Sequence, residues 1–328
     1  MNTNHFDRMG SALRAEAQSP HPDHKVGALI CGTDQNGQYF EHAHHNFWPD
    51  LLKKHIGTDQ KLGNASTTIH AEMATLFMVP SSRDADIYIT DLPCPNCAKT
   101  IAQAGIRNVY IDSHTHNTPL GLKIKPYFDQ ISMLIFRKAG IGVFEMNAPE
   151  KTISCLQEKT SRAPQVSDEN SYHIRRTDNA LSQEKFGQLI QANTQTEPFA
   201  ACIATDHNGN AFFIHAKADI AIGLNQEDAQ NIRDNQDKYV PTMQPINRLL
   251  VLCTRHSLTI NPAYIFSSRT PTSREFVNLI GAGYTHLTIG NQEECRDEWG
   301  LKALKQLQDK NILDSNLSLL YKNPSKIN

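Results

Sequence analysis

Apolar and polar residues repeat along the N-terminal half of the chain with two different periods, which separates helices from strands. An apolar face at helical spacing predicts a first helix over residues 4–18, and Ser19-Pro20 ends it. Short apolar runs over 26–31 and 39–43 predict strands, and Asn36-Gly37 between them is typical of a β-hairpin. The remaining predicted elements are helices over 70–78, 97–104 and 126–139 and strands over 86–90, 109–112 and 143–146.

This order, α-β-β-α-β-α-β-α-β, is typical of an α/β sandwich in which helices cover a five-stranded sheet. Residues 1–148 are therefore predicted to form one such domain. Residues 149–178 are polar and interrupted by Pro and Ser, so we expect them to form a linker to a second domain over residues 179–328.

The second domain repeats the pattern of the first, which predicts a tandem duplication. A helix over 182–192 is followed by two strand-like runs that again flank an Asn-Gly pair. Residues 264–266 are aligned with 87–89, residues 246–250 with 69–73, and the spacing between Pro271 and Gly283 equals that between Pro93 and Gly105. The alternative is a chance agreement in the placement of turns between two α/β domains.

Length and composition agree with two folded domains and exclude some partners. The chain has 328 residues, of which 39% are hydrophobic and 20% charged, with a formal net charge of −2. Proteins that coat a polyanion are usually basic, so this charge argues against that role. No apolar run has the length of a membrane span, and the polar N-terminus does not resemble a secretory signal. We therefore expect a cytoplasmic protein with reduced cysteines.

Four residues form the strongest candidate for chemistry in the sequence. His70, Cys94 and Cys97 offer three ligands of the kind that zinc prefers, and Glu72 lies two residues after the histidine. The Cys-x-x-Cys spacing alone also fits a redox pair or half of a structural zinc site. Three ligands rather than four leave one zinc position for water, which indicates a catalytic site with one Zn²⁺ in the N-terminal domain.

The pattern His-x-Glu followed by Pro-Cys-x-x-Cys resembles the cytidine/deoxycytidylate deaminase superfamily. The resemblance implies a three-layer α-β-α deaminase-like sandwich, here duplicated in tandem. It also implies a hydrolytic reaction in which water activated by zinc attacks the amine-bearing carbon of a base, while Glu72 carries protons to the ring nitrogen and the leaving amine. The first ligand, at position 70, is a histidine. In this respect the sequence resembles the branch of the superfamily that includes the deoxycytidylate deaminases.

The same resemblance suggests residues that contact the substrate. The stretch from Asn46 to Pro49 is similar to the Asn-Gly-[Phe/Trp]-Pro motif of deoxycytidylate deaminases, which implies that Asn46 contacts the sugar. The Ala71 backbone N–H is expected to face the carbonyl oxygen of the base. His44 and Trp48 are further candidates for contact with the substrate. The alternatives are that His44 is a polar residue at the end of a strand and that Trp48 fills the core. Phe47 replaces the Gly of the motif and Asp50 replaces a commonly basic next residue, which leaves the recognition of a phosphate open.

In the second copy the residues that carry the chemistry are lost. The alignment places Asn247 and Leu249 at the positions of the histidine and the glutamate, and Thr272 and Glu275 at those of the two cysteines. We therefore expect one zinc ion per chain and a second copy that acts as a scaffold, dimer mimic or regulatory site. A family that usually oligomerises suggests a homo-oligomer, a dimer of such pseudo-dimers.

The leading hypothesis is a zinc-dependent deaminase of a cytosine nucleotide or nucleoside. One alternative is a base deaminase that acts on tRNA or single-stranded DNA, against which the near-neutral charge counts. The other alternative is a zinc-stabilised binding or regulatory protein, against which the intact Glu72 counts.

Overall fold

Two six-stranded sheets, one in each half of the chain, form the frame of the molecule. The computed structural model describes residues 5–160, 171–179, 181–194, 196–235 and 239–317. No helix in these ranges is both long and apolar enough to cross a membrane.

The first unit contains six helices and eight strands. They are α1 (His5–Ala17), β1 (Gly27–Thr33), β2 (Tyr39–His45), α2 (Asp50–His55), β3 (Lys61–Leu62), β4 (Ala65–Ser66), α3 (Ala71–Leu76), β5 (Asp86–Ile89), α4 (Pro95–Ala104), β6 (Asn108–Asp112), α5 (Pro119–Tyr127), α6 (Met133–Ala139), β7 (Gly142–Asn147) and β8 (Thr152–Gln157). A 3₁₀ turn precedes α5, and a π-helical turn joins α5 to α6.

The sheet of the first unit has the strand order β2-β1-β5-β6-β7-β8. β5, β6 and β7 are parallel, whereas β1, β2 and β8 pair antiparallel with their neighbours. Apolar residues of α1 pack on one face of this sheet, and those of α3, α4 and α6 pack on the other. The predicted three-layer α-β-α sandwich is therefore confirmed, with one strand more than the five expected.

The second unit contains the remaining elements in the described part of the chain. They are β9 (Tyr172–Arg176), α7 (Gln183–Ala192), β10 (Phe199–Thr205), β11 (Ala211–Lys217), β12 (Asp219–Ile220), α8 (Gln226–Asn235), β13 (Thr242–Met243), α9 (Pro245–Arg255), β14 (Thr259–Ser267), α10 (Ser273–Gly281), β15 (His286–Ile289), α11 (Glu298–Asp309) and β16 (Asp314–Leu317).

The second sheet repeats the topology of the first. Its order β9-β11-β10-β14-β15-β16 matches β2-β1-β5-β6-β7 strand for strand, with β9 added beyond β11. The two hairpin turns are also alike, because Asp34 and Asp206 each accept two backbone N–H groups of their own turn. Gly37 and Gly209 close these turns at φ values of 77° and 76°, in the left-handed region that favours glycine. The duplication predicted from the sequence is therefore confirmed.

The stretch predicted as a linker contributes a strand to each sheet. β8 pairs with β7, and β9 pairs with β11. Five of the six β8 residues are exposed, so the strand has no buried face and its sequence does not show the alternation by which a half-buried strand is recognised. The part of this stretch over 161–170 lies outside the described residues.

The two units pack together through the helical layers on one face of each sheet. Helix α4 of the first unit lies against α9 of the second, and their buried apolar residues belong to one continuous core. Around β3 and β4 the contact is closest. The Gly63 N–H donates to Gln306 Oε1 at 2.7 Å, and a β-carbon on Gly63 would lie 2.2 Å from Ser273 Oγ.

Gly63→Ala is expected to destabilise the protein by roughly 1–3 kcal/mol more than Gly37→Ala. Both glycines have positive φ values, so the two substitutions share the backbone cost, but a β-carbon on Gly37 meets no atom within 4 Å. Only the change at position 63 forces the units apart. Urea unfolding of both variants measures the difference, and equal losses of stability would show that the contact at Gly63 is not close.

Candidate metal centre and cleft

His70, Cys94 and Cys97 come together at the N-terminal ends of two helices. His70 is the residue before α3, and Cys94 is the residue before α4. His70 Nδ1 lies 3.2 Å from Cys97 Sγ and 3.8 Å from Cys94 Sγ, and the two sulfurs are 3.6 Å apart. Zn–S bonds of about 2.3 Å and Zn–N bonds of about 2.1 Å at tetrahedral angles require separations of about 3.6–3.8 Å. The two separations from Cys94 Sγ lie in this range, and the one between His70 Nδ1 and Cys97 Sγ is shorter, so the three donor atoms converge closely enough to hold one zinc ion. Within the described residues no second such group of His, Cys, Asp or Glu side chains exists.

The surroundings of the Cys94 thiol favour a metal-binding thiolate. Both sulfurs are buried, whereas His70 keeps part of its surface open to the solvent. Hydrogen bonds with Cys97 and with His70 lower the pKa of the Cys94 thiol well below its ordinary value. The N-terminus of α4 adds a positive potential at the same sulfur. The site is thus suited to bind a cation through sulfur and imidazole nitrogen.

Glu72 lies beside these three residues without belonging to the group of donor atoms. It is the second residue of α3, and only 4% of its surface is exposed. Burial raises the pKa of the Glu72 carboxyl, and the neighbouring His70 opposes that effect. A raised pKa brings the carboxyl closer to the working pH, where a general acid–base is most effective.

The candidate metal centre opens into a cleft of about 490 Å³ that is built by both units. The first unit contributes the segment 64–66, the start of α4, and one side of α5. The second unit covers the cleft with the segment around β13, the start of α9, and the start of α10. The volume is that of a small-molecule site. The second copy of the fold is therefore one wall of the cleft rather than a separate body.

The residues predicted to contact the substrate lie behind the wall of the cleft and do not line it in this structure. Asn46 is buried, and its Oδ1 accepts the Val26 N–H at 2.8 Å and the Ser19 hydroxyl at 2.8 Å. Its Nδ2 donates to the backbone oxygen of His24, which does line the cleft. Asn46 thus holds the segment that reaches the cleft, and its contact with the sugar stays a prediction.

Of the other three predicted contacts, Ala71 and Trp48 are buried and His44 is half-buried. Ala71 is fully buried as the first residue of α3, and the Trp48 ring stacks on His21 at a centroid distance of 5.1 Å. The His44 ring packs against Phe47 at 5.2 Å. Their roles toward a substrate stay predictions.

Residues of the second unit at the cleft were not found by the sequence reasoning. Arg274 and Arg296 line it from α10 and from the loop before α11, and Tyr239 lines it from the segment before β13. The sequence offers only a partial indication that Arg274 lies at the site: it stands between Thr272 and Glu275, which align with the two cysteines. A sequence alignment within the repeat does not tell which residues of one copy face the other copy.

Two details of the alignment between the copies are corrected by the structure. The residue before α9 is Gln244, so Gln244 and Ile246 correspond to His70 and Glu72, in place of Asn247 and Leu249. The loops before α3 and α9 differ in length, so the alignment made from the sequence was wrong by three residues. The predicted alignment of β14 with β5 is also wrong, by one residue. Phe266 corresponds to Tyr88, because Phe266 packs toward α7 as Tyr88 packs toward α1.

In the second copy a carboxylate joins the N-termini of two helices. The corresponding helix N-termini of the first copy carry the zinc ligands. Glu275, at the position of Cys97, accepts the Ile246 N–H at 2.8 Å and both the N–H and the hydroxyl of Thr272 at 2.8 Å. It thereby joins the N-terminus of α9 to that of α10. This explains how the second copy keeps its fold without a metal-ligating thiolate.

Glu275→Ala is expected to destabilise the protein by roughly 2–4 kcal/mol, because it leaves three buried donors without an acceptor. Glu275→Gln retains one acceptor oxygen and is expected to lose less. Urea unfolding of the two variants beside the parent protein measures both losses. A Glu275→Ala variant as stable as the parent would contradict the bridging role of this carboxylate.

Comparison with known proteins places the similarity in the first unit. Residues 2–113 match the family described as the cytidine and deoxycytidylate deaminase zinc-binding region. An uncharacterized deaminase in the luxG 3′ region of Aliivibrio fischeri is 34% identical over 128 residues, which are 38% of this chain and 81% of that relative. The deoxycytidylate deaminase of Enterobacteria phage T4 is 40% identical over 111 residues, 32% of this chain and 50% of the phage protein.

Solved structures give more distant similarities. The dCMP deaminase of the cyanophage S-TIM5 in apo form is 22% identical, with a TM-score of 0.31, and the match covers 44% of this chain and 100% of that one. A structure from a study of tRNA:A34 deaminases is 24% identical, with a TM-score of 0.24, and the match covers 34% of this chain and 77% of that one.

Proposed function

The chain belongs to the cytidine and deoxycytidylate deaminase family, and on this premise we propose that it is a zinc-dependent hydrolytic deaminase of a cytosine nucleotide. The observation that carries the proposal is the convergence of His70, Cys94 and Cys97 on one cleft, with the buried Glu72 beside them. The phage relative named above as a deoxycytidylate deaminase, of which this chain spans about half the length, supports cytosine as the base.

His70, Cys94 and Cys97 would hold zinc through one imidazole nitrogen and two sulfurs. A zinc ion held there would supply the activation of water for attack on the base. Glu72 accepts the proton of the attacking water and delivers it to the ring nitrogen of the base. In a second transfer Glu72 takes the proton of the newly added hydroxyl group and gives it to the exocyclic amine, so that the carbon–oxygen bond becomes a carbonyl and the amine leaves as ammonia. The buried position of the carboxyl suits it to both transfers.

The shape of the cleft supports a small substrate. Its volume of about 490 Å³ is enough for a mononucleotide, and the second unit forms one of its walls. The net charge of −2 also gives no general attraction for a polynucleotide. Formation of a homo-oligomer and a cytoplasmic location are further proposals from the sequence.

An ammonia-release screen tests this function. The zinc-loaded full chain is incubated with cytosine, adenine and guanine nucleosides, with their nucleotides and with short oligonucleotides. We expect release from a cytosine mononucleotide and at most weak release from the adenine and guanine compounds. Release from purine compounds alone, or from oligonucleotides alone, would contradict the proposed substrate.

A further inference from the structure

Positive charge dominates the walls of the cleft. Lys99 and Lys123 line it from the first unit, and Arg274 and Arg296 line it from the second. The single carboxylate in the described lining, Asp297, is paired with Arg296, with Nη2 to Oδ2 at 3.0 Å. The cleft therefore has an excess of cations that its own carboxylates do not balance.

Arg274 lies close to the metal centre. Its Nη1 donates to the backbone oxygen of Thr68 at 2.8 Å, two residues before the ligand His70. Burial lowers the pKa of the Arg274 guanidinium, and the nearby thiols of Cys94 and Cys97 oppose that effect. Within the described residues no carboxylate lies within ion-pair distance of Arg274, and no other hydrogen bond engages it. A guanidinium has five N–H donors, so most of its donors are available to a ligand.

The other cations have different surroundings. Lys99 is buried, and its Nζ donates to the backbone oxygens of Val240 and Thr242 at 2.8 and 3.1 Å, so it fastens the cover of the cleft. Lys123 is exposed on α5, and Arg296 is partly exposed beside Asp297. Arg274 is thus the inner unpaired cation, and Arg296 and Lys123 lie at the rim.

We propose that Arg274, assisted by Arg296, binds the phosphate of a mononucleotide substrate, so that the second unit determines the preference for nucleotide over nucleoside. This inference rests on the proposed function. An unpaired cation in a partly closed cleft is costly unless an anion joins it, and a guanidinium binds phosphate oxygens in a bidentate manner. A nucleoside brings no such anion, whereas a nucleotide places one beside the base that the metal centre receives.

The kinetic test compares dCMP with deoxycytidine in the parent protein and in Arg274→Gln. We expect kcat/KM for dCMP to fall about 10- to 100-fold and kcat/KM for deoxycytidine to change less than about threefold. Arg255→Gln is the matched control. Arg255 also donates to a backbone oxygen of the other unit, that of Gln103, but it does not line the cleft. Equal losses for both substrates in Arg274→Gln, or a parent enzyme without preference for dCMP, would overturn the proposal.

A binding test separates this inference from the proposed function. Calorimetry measures the affinity of the product dUMP and of deoxyuridine, and neither measurement depends on turnover. We expect dUMP to bind the parent more tightly than deoxyuridine and to lose about 10- to 100-fold in Arg274→Gln. If no cytosine compound releases ammonia, the proposed function fails, but the dUMP result still decides the phosphate site. An oligonucleotide that binds more tightly than dUMP would overturn the assignment to a mononucleotide.

Discussion

Glu72→Gln is expected to lower kcat for deamination by roughly 10²- to 10⁴-fold while the zinc content stays at one ion per chain. The amide has nearly the same shape as the carboxyl and fits the buried position, but it cannot carry a proton from water to the base. Ammonia release measures the rate, and elemental analysis measures the metal. A variant that deaminates at close to the parent rate would contradict Glu72 as the proton carrier.

The second copy provides the matched control for this experiment. Glu275→Gln makes the same chemical change in a carboxyl that is equally buried, at 2% exposed, but that bridges two helix starts outside the metal centre. We expect Glu275→Gln to lose some stability and to keep its activity at a temperature where the variant is folded. The pair thus separates the loss of proton transfer from the loss of a buried charge.

His70→Ala is expected to reduce the zinc content from one ion per chain to nearly none and to abolish deamination. Without the imidazole only Cys94 and Cys97 are left as ligands. Zinc sites in proteins use three or four protein ligands, so two are not enough to hold the ion. The melting temperature should also fall, because a bound metal stabilises the folded state. Elemental analysis and thermal unfolding measure both effects.

Gln244→Ala is the control for the histidine, because Gln244 precedes α9 as His70 precedes α3. This variant should keep the zinc content of the parent. A parent protein with two zinc ions per chain would contradict the reading of the second copy as a unit without a metal site.

The sequence alone was sufficient for the parts of the molecule where one local pattern determines one structure. The spacing of His70, Glu72, Cys94 and Cys97 predicts the metal centre because each ligand lies at or just after a helix start. The Asn-Gly turns and the repeated spacing from Pro93 to Gly105 predict the duplication because turn chemistry and helix length are local properties.

The parts that sequence reasoning missed depend on contacts between distant segments. β8 has no buried face, so only its pairing with β7 makes it a strand. Arg274 becomes a cleft residue only because α10 packs beside the segment that carries Thr68. Asn46 was predicted to contact the sugar, and in the structure its amide is engaged by the 19–26 segment. None of these contacts has a signature in the spacing of residues.

The arrangement of the two units suggests why a copy without its ligands is kept in the chain. Its helices α9 and α10 close the cleft above the metal centre, and Glu275 holds their N-terminal ends together where the first unit has metal ligands. We therefore infer that the second unit acts on the site of the first through its position and charge.

The most direct test of this account is a crystal structure of the zinc-loaded full chain with dUMP. We expect one zinc ion held by His70, Cys94 and Cys97, the pyrimidine ring beside Glu72, and the phosphate on Arg274 of the second unit. A zinc ion between Gln244, Thr272 and Glu275, or a nucleotide bound away from the shared cleft, would contradict it.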